Sequence, residues 1–215
     1  MSFCDSKMTG RTRIKICGIT RLEDLRAAVE LGVDALGFVF YPPSPRFLHL
    51  AQAAALVQAV PPFVTTLGLF VNAAPATVRQ VLAAVPLQML QFHGEEDAAY
   101  CNQFGRPYLK AARVRPGLDL LEYAASFPDA RGLLLDAYVN DYGGAGQTFD
   151  WGLIPPGLPL PLVLSGGLDA ANVAAAIRSL KPWAVDVSSG VESAKGIKDA
   201  AKMAAFITGV RNADA

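Results

Sequence analysis

The chain has 215 residues, 52% of them hydrophobic and 18% charged. That is apolar for a protein in water, where about a quarter of residues are charged, so a globally disordered chain is excluded and a sizeable core is expected. Its 19 basic and 19 acidic side chains cancel, which leaves no electrostatic footprint for nucleic acid or an anionic membrane.

Residues 1–12 lack a hydrophobic h-region and read as a short disordered tail rather than a signal peptide. The closing VRNADA reads as a second tail. No apolar run approaches the roughly 18 residues of a membrane span. The 3 cysteines are too few for a disulfide framework and fit a reducing compartment, so a cytoplasmic protein is expected.

In chain order, runs of β-branched and aliphatic residues predict strands at Arg13–Cys17, Ala35–Phe40, Val64–Val71, Gln88–His93, Pro107–Ala111, Gly132–Asp136, Leu160–Ser165 and Ala184–Ser188. Helical stretches are expected to start near Arg21, Ala51, Pro75, Glu95, Gly117, Asp150, Asp169 and Gly196. Thr20 with Glu23 fits a capping box, Pro75 suits a first helical position, and Asp169 follows a glycine pair as an N-cap. Near-continuous apolar strands alternating with helices imply a parallel sheet covered by helices. Eight such units over residues 13–210 predict an α/β chain folded as a single-domain (β/α)8 barrel, which spans roughly 200 to over 400 residues. A doubly wound open sheet is the alternative. It commonly carries a G-x-G-x-x-G turn, and this sequence has none.

Barrel strands alternate between interior and helix-facing side chains. In the first strand Ile14 and Ile16 suit the helix side, which turns Lys15 and Cys17 inward. Gln91 and His93 share one face of the fourth strand, Asp136 ends the sixth, and Asp186 and Ser188 share one face of the eighth. Active sites of such barrels lie at the carboxyl ends of the strands, where Cys17, His93, Asp136 and Ser188 are then gathered. Closure makes the eighth strand the neighbour of the first, so Lys15 and Asp186 are expected to form a buried ion pair. Taken singly, each has an ordinary structural reading: a core cysteine, a helix-capping aspartate, a histidine tied to its loop.

Three late glycine clusters, Gly143–Gly144–Ala145–Gly146, Ser165–Gly166–Gly167 and Ser188–Ser189–Gly190, offer backbone amides to an anion. Loops after the seventh and eighth strands are a frequent phosphate site of these barrels, so a phosphate-bearing ligand is expected. Arg46 sits on the proline-stiffened loop Tyr41–Pro42–Pro43–Ser44–Pro45–Arg46 at the same end and suits a carboxylate. His49 and His93 are far apart and no C-x-x-C occurs, so no metal constellation is visible.

Several stretches together resemble the phosphoribosylanthranilate isomerase family. They include Lys15–Ile16–Cys17–Gly18–Ile19–Thr20, Ser44–Pro45–Arg46, Leu90–Gln91–Phe92–His93–Gly94, Ser165–Gly166–Gly167–Leu168 and Asp186–Val187–Ser188–Ser189–Gly190–Val191–Glu192, in the family's order. Two departures are mild: Ala145 stands where the family usually has Thr, and Phe92 where Leu is commoner. The resemblance implies a β/α barrel without cofactor that performs an Amadori rearrangement in tryptophan biosynthesis. It implies a small phosphosugar substrate and a monomer or homodimer. It also implies Asp136 as general acid and Cys17 as general base. The phosphate would lie near Gly146, Gly166, Gly167, Ser188, Ser189 and Gly190, and Arg46 would face the substrate's carboxylate. Lys15, Gln91, His93 and Asp186 would support these groups. Lys15 should favour a Cys17 thiolate while Asp186 opposes it, and apolar neighbours such as Leu134 should favour a neutral Asp136. Another phosphosugar isomerase or epimerase, or a non-catalytic phosphosugar sensor on the same barrel, would share the glycine loops.

Overall fold

The structure is a computed structural model and describes residues 10–137 and 148–215. Of the expected tail of residues 1–12, residues 1–9 lie outside the described residues, as does the cluster Gly143–Gly144–Ala145–Gly146; Arg11 and Thr12 do not form a loose tail, since Arg11 pairs with Asp34 and Thr12 is buried. Eight parallel strands close into a barrel: β1 (Arg13–Cys17), β2 (Ala35–Val39), β3 (Thr65–Phe70), β4 (Met89–Phe92), β5 (Tyr108–Val114), β6 (Gly132–Ala137), β7 (Leu162–Leu164) and β8 (Ala184–Val187). The sheet closes by β1 pairing with β8, and Lys15 stands in register with Asp186.

Strict alternation sorts the apolar side chains. Leu67, Leu109, Ala111, Leu134, Val163 and Ala184 fill the barrel, while Ile14, Ile16, Leu36, Phe38, Phe70, Leu90 and Phe92 point out toward the helices. Phe92 meets the rings of Tyr100, Phe104 and Tyr108 at centroid distances of 5.6, 5.7 and 5.8 Å, so this helix-facing position accepts the larger side chain.

The covering helices are α1 (Leu22–Glu30), α2 (Leu50–Gln58), α3 (Pro75–Ala84), α4 (Ala98–Asn102), α5 (Leu120–Ala125), α6 (Val173–Leu180) and α7 (Ala200–Asp214). Among the described residues, none is long and apolar enough to cross a membrane. Pro75 does open α3. The capping box at Thr20 does not form: Arg21 is the N-cap of α1, and the Thr20 hydroxyl donates instead to the Gly196 carbonyl. Asp169 accepts from the amides of Ala171 and Asn172, so it caps the turn that precedes α6.

Near Asp150 there is one 3₁₀ turn, Trp151–Leu153, in place of an α-helix; the prolines Pro155 and Pro156 follow at once and cannot extend it. At Gly196 the chain makes a hairpin of β9 (Glu192–Ala194) and β10 (Ile197–Lys198), turning where Gly196 has φ +79°. The terminal VRNADA is helical through Asp214 and belongs to α7, not to a tail. Asp214 there accepts from the Thr12 amide and hydroxyl at 2.8 and 2.6 Å, which ties the start of the barrel to its last helix.

One charged cluster is structural. Lys110 is fully buried on the helix side of β5 and donates to Glu96 Oε2 at 2.9 Å and to the Gly94 carbonyl at 2.6 Å. The Glu96 carboxylate also accepts from the amides of Asn72 and Gly94, and so shapes the chain just after β4. Lys110→Met should destabilise the protein by about 3–5 kcal/mol, because it strands a buried carboxylate. Denaturant midpoints measure this, and a loss under about 1 kcal/mol would show that the pair is dispensable.

Candidate active site

Cys17 ends β1 with its side chain inside the barrel mouth, 5% exposed. Its neighbour in register is Gly37 on β2. A Cβ there would stand 2.7 Å from Cys17 Sγ and 3.2 Å from Lys15 Nζ, so a side chain on β2 would displace both. Gly18 follows at φ +77°, and the aliphatic stem of Arg46 lies where its Cβ would be. The K-I-C-G stretch thus places a thiol, makes the turn and seats an arginine.

Lys15 Nζ donates to Asp186 Oδ1 at 2.8 Å, and both residues are 4% exposed. The expected buried ion pair is present. Burial would depress the Lys15 ammonium, but Asp186 and the Cys17 sulfur hold its pKa above the usual lysine value. For Cys17 the balance runs against the expectation from Lys15. Burial pushes the thiol pKa up, Lys15 and Lys198 pull it down, and Asp186 pushes it up again, leaving it above the ordinary cysteine value. Lys15 acts in the expected direction, but desolvation is larger. The resting group is the thiol.

Arg46 is 6% exposed, and its guanidinium is fixed by Glu192 through Nε–Oε1 at 2.7 Å and Nη2–Oε2 at 2.8 Å. Lys198 Nζ completes the cluster, donating to Glu192 Oε1 at 2.8 Å and to the Ser188 carbonyl at 3.1 Å. Burial alone would raise the Glu192 carboxyl; Arg46 and Lys198 more than offset it and hold its pKa below the usual value. Arg46 is therefore a cation already oriented by the hairpin after β8, with Nη1 left over from the fork to Glu192. The Ser188 hydroxyl donates to the Cys17 carbonyl at 3.0 Å, joining the ends of β8 and β1.

Opposite these groups, Asp136 lies one residue before the end of β6, and its Oδ1 accepts from the Ala137 amide at 2.9 Å. Oδ2 meets His93 Nε2 at 3.0 Å, and His93 Nδ1 meets Gln91 Nε2 at 3.0 Å. Arg113 stands beside Asp136 in register on β5. Gly166 (φ +80°) passes close by, since a Cβ there would sit 3.0 Å from Asp136 Oδ1 and 2.6 Å from the Ala137 amide. Gly167 (φ +62°) continues the turn. Ser189 opens a 3₁₀ turn, Ser189–Val191, and a Cβ on Gly190 would collide with the Leu168 carbonyl, so the turns after β7 and β8 lie against each other. Gly146 lies outside the described residues.

Reading the sequence missed Glu192, Lys198, Gly37 and Arg113. Glu192 stood inside a quoted motif. Gly37, a glycine within an apolar strand, was a readable sign of close approach. Lys198 fell on a segment read as a helix start. Arg113 lay beyond Ala111, where the fifth strand was expected to stop, and β5 runs on to Val114. Among the described residues no three His, Cys, Asp or Glu side chains are placed to hold a metal ion.

A closed (β/α)8 barrel with a thiol, a carboxyl–imidazole pair and a fixed arginine at its carboxyl mouth defines a barrel enzyme of the proton-transfer class. The family model described as PRAI, N-(5'phosphoribosyl)anthranilate (PRA) isomerase, matches residues 14–209. The N-(5'-phosphoribosyl)anthranilate isomerase of Dechloromonas aromatica (strain RCB) is 66% identical over 204 residues, covering 95% of this chain and 98% of that protein. The crystal structure of phosphoribosyl anthranilate isomerase from Thermotoga maritima has a TM-score of 0.86 at 43% identity, covering 94% of this chain and 99% of that one. Another such structure, in complex with reduced 1-(o-carboxyphenylamino)-1-deoxyribulose 5-phosphate, has a TM-score of 0.82 at 40% identity and covers 94% and 99%. The chain belongs to the N-(5'-phosphoribosyl)anthranilate isomerase family and is an aldose–ketose isomerase of tryptophan biosynthesis.

Proposed function

We propose that this barrel, residues 13–210, turns N-(5-phospho-β-D-ribosyl)anthranilate into 1-(2-carboxyphenylamino)-1-deoxy-D-ribulose 5-phosphate with Asp136 as general acid and Cys17 as general base. The observation that carries the reading is the placement of both groups at one barrel mouth, each with its own buried partner: Lys15–Asp186 for Cys17 and His93–Gln91 for Asp136. Asp136 gives a proton to the furanose ring oxygen as the C1–O bond breaks, and the anilino nitrogen lone pair forms the C=N bond. Cys17 first releases its thiol proton to solvent and then, as thiolate, takes the proton from C2, while the C–H electrons form C1=C2 and neutralise the iminium. The resulting enolamine ketonises by moving the O2 proton to C1 through solvent. Solvent also returns Asp136 and Cys17 to their starting states.

The substrate's two anionic ends suit the two ends of the mouth. The phosphate would meet backbone amides at Gly166, Gly167, Ser188, Ser189 and Gly190, and that of Gly146. The anthranilate carboxylate would meet Arg46, whose orientation by Glu192 is already fixed. This needs no cofactor, and the protein would act in the cytoplasm as a monomer or homodimer.

Loss of the intrinsic fluorescence of phosphoribosylanthranilate on adding the protein follows the reaction. In that assay Arg46→Ala should raise KM by roughly 10- to 100-fold, the size of a charge-assisted hydrogen bond, and leave kcat within a few-fold. Glu192 keeps Lys198 as partner, so the fold should survive. An unchanged KM would remove Arg46 from substrate binding.

A further inference from the structure

Gln91 is 1% exposed, and its Oε1 is one of the few buried side-chain atoms without a hydrogen-bond partner. Its Nε2 meets His93 Nδ1 at 3.0 Å, and His93 Nε2 meets Asp136 Oδ2 at 3.0 Å. An amide carries a donor on one arm and an acceptor on the other in nearly the same shape. With Nε2 toward the ring, Nδ1 is a bare acceptor and the ring proton sits on Nε2, donated to Asp136. Turned by half a rotation, the amide would offer Oε1 and would require a proton on Nδ1. Because Oε1 has no partner among the described residues, turning the amide breaks no hydrogen bond on its far arm.

We infer that Gln91 is a positioning residue whose amide turns with the proton load of the Asp136–His93 pair, letting His93 share the proton that Asp136 delivers. With one proton on the pair, carried on the ring at Nε2, the amide lies as it does here, with its Nε2 toward Nδ1. A second proton gives either an imidazolium against the carboxylate or a neutral carboxyl donating to Nε2 of a ring protonated at Nδ1. Both forms carry hydrogen on Nδ1 and take Oε1 of the turned amide. Delivery of a proton to the substrate's ring oxygen returns the pair to one proton, and the amide turns back. Among the described residues, the charged groups adjacent in register or sequence are Asp136 on β6, Arg113 on β5, and Glu95 and Glu96 after β4, with Glu96 held by Lys110; β3 sets the apolar Leu69 in register with Gln91. This inference rests on Asp136 being the acid.

The chain has 2 histidines, and His49 is exposed at the N-cap of α2, so His49→Asn leaves His93 as the sole histidine. In that protein, labelled with nitrogen-15 histidine, the ring proton should sit on Nε2 at high pH, and Nδ1 should gain a proton on acidification. Gln91→Glu should raise the midpoint of proton uptake, because a carboxylate accepts the Nδ1 hydrogen. Gln91→Leu should lower it, because the charged, loaded pair loses more with its acceptor than the neutral ring loses with its donor. Each shift is on the order of one pH unit, and the limb of the pH–rate profile with the same midpoint should move with it. A proton on Nδ1 at high pH, midpoints that stay put or move in one direction in both variants, or a profile that ignores them would overturn the inference. If Gln91→Glu fails to fold, the ring assignment and Gln91→Leu still decide. If Asp136→Asn turns over normally, the acid assignment is what fails, and the ring spectra are unaffected by that result.

Discussion

Cys17→Ser is expected to lower kcat by about 10²- to 10⁴-fold, the usual worth of a positioned base, with the fold intact. Serine is close in size, but its hydroxyl does not ionise in the range where a thiol does. The site adds a condition of its own. Burial holds the Cys17 thiol above the ordinary cysteine pKa despite Lys15 and Lys198, so the thiolate is present only as pH rises past that raised value and is lost as pH falls. The difference in thiolate ultraviolet absorbance between wild type and Cys17→Ser should therefore have a midpoint above that of an exposed cysteine. Near-normal turnover of the serine variant would sink the assignment of Cys17 as base. A midpoint below the ordinary value would show that Lys15, not desolvation, governs the thiol.

Asp136→Asn should cost a comparable 10²- to 10⁴-fold in kcat, with KM changed little. The amide oxygen still accepts from His93 Nε2, so the geometry around β4 and β6 is kept while the proton is removed. Steady-state kinetics separate the roles: a loss mainly in KM would make Asp136 a binding group, whereas a loss in kcat marks a group acting in the transition state.

The barrel was legible because each strand is short, apolar and followed by a helical stretch, and β1 matches its expected bounds residue for residue. Inward Lys15 and Asp186 followed from period two plus closure, since two costly buried charges on adjacent strands define each other. What stayed hidden depends on contacts between distant segments. Thr20 and Glu23 match a capping pattern, yet Thr20 finds a better partner in the Gly196 carbonyl, which no local rule supplies. The hairpin that brings Lys198 to Glu192 is only three and two residues per strand, too short for a periodic signal. The Cys17 thiol shows the same limit: the signs of its neighbours' effects were readable, but their ranking against burial was not.

Three of the pairings at the barrel mouth share one property. Lys15 with Asp186, Arg46 with Glu192 and His93 with Asp136 each join a residue before β5 to one on or after β6. A chain growing from its amino end therefore carries one member of each of these three pairs through most of its synthesis, and Lys15 and Arg46 stay in water until their partners arrive. Apart from Glu192, which finds Lys198 in its own half, no ionised member of these pairs can be buried in either half alone without a penalty of several kcal/mol per unpaired ion. The catalytic mouth is thus assembled by ring closure itself, so completing the barrel and arming the site are a single event.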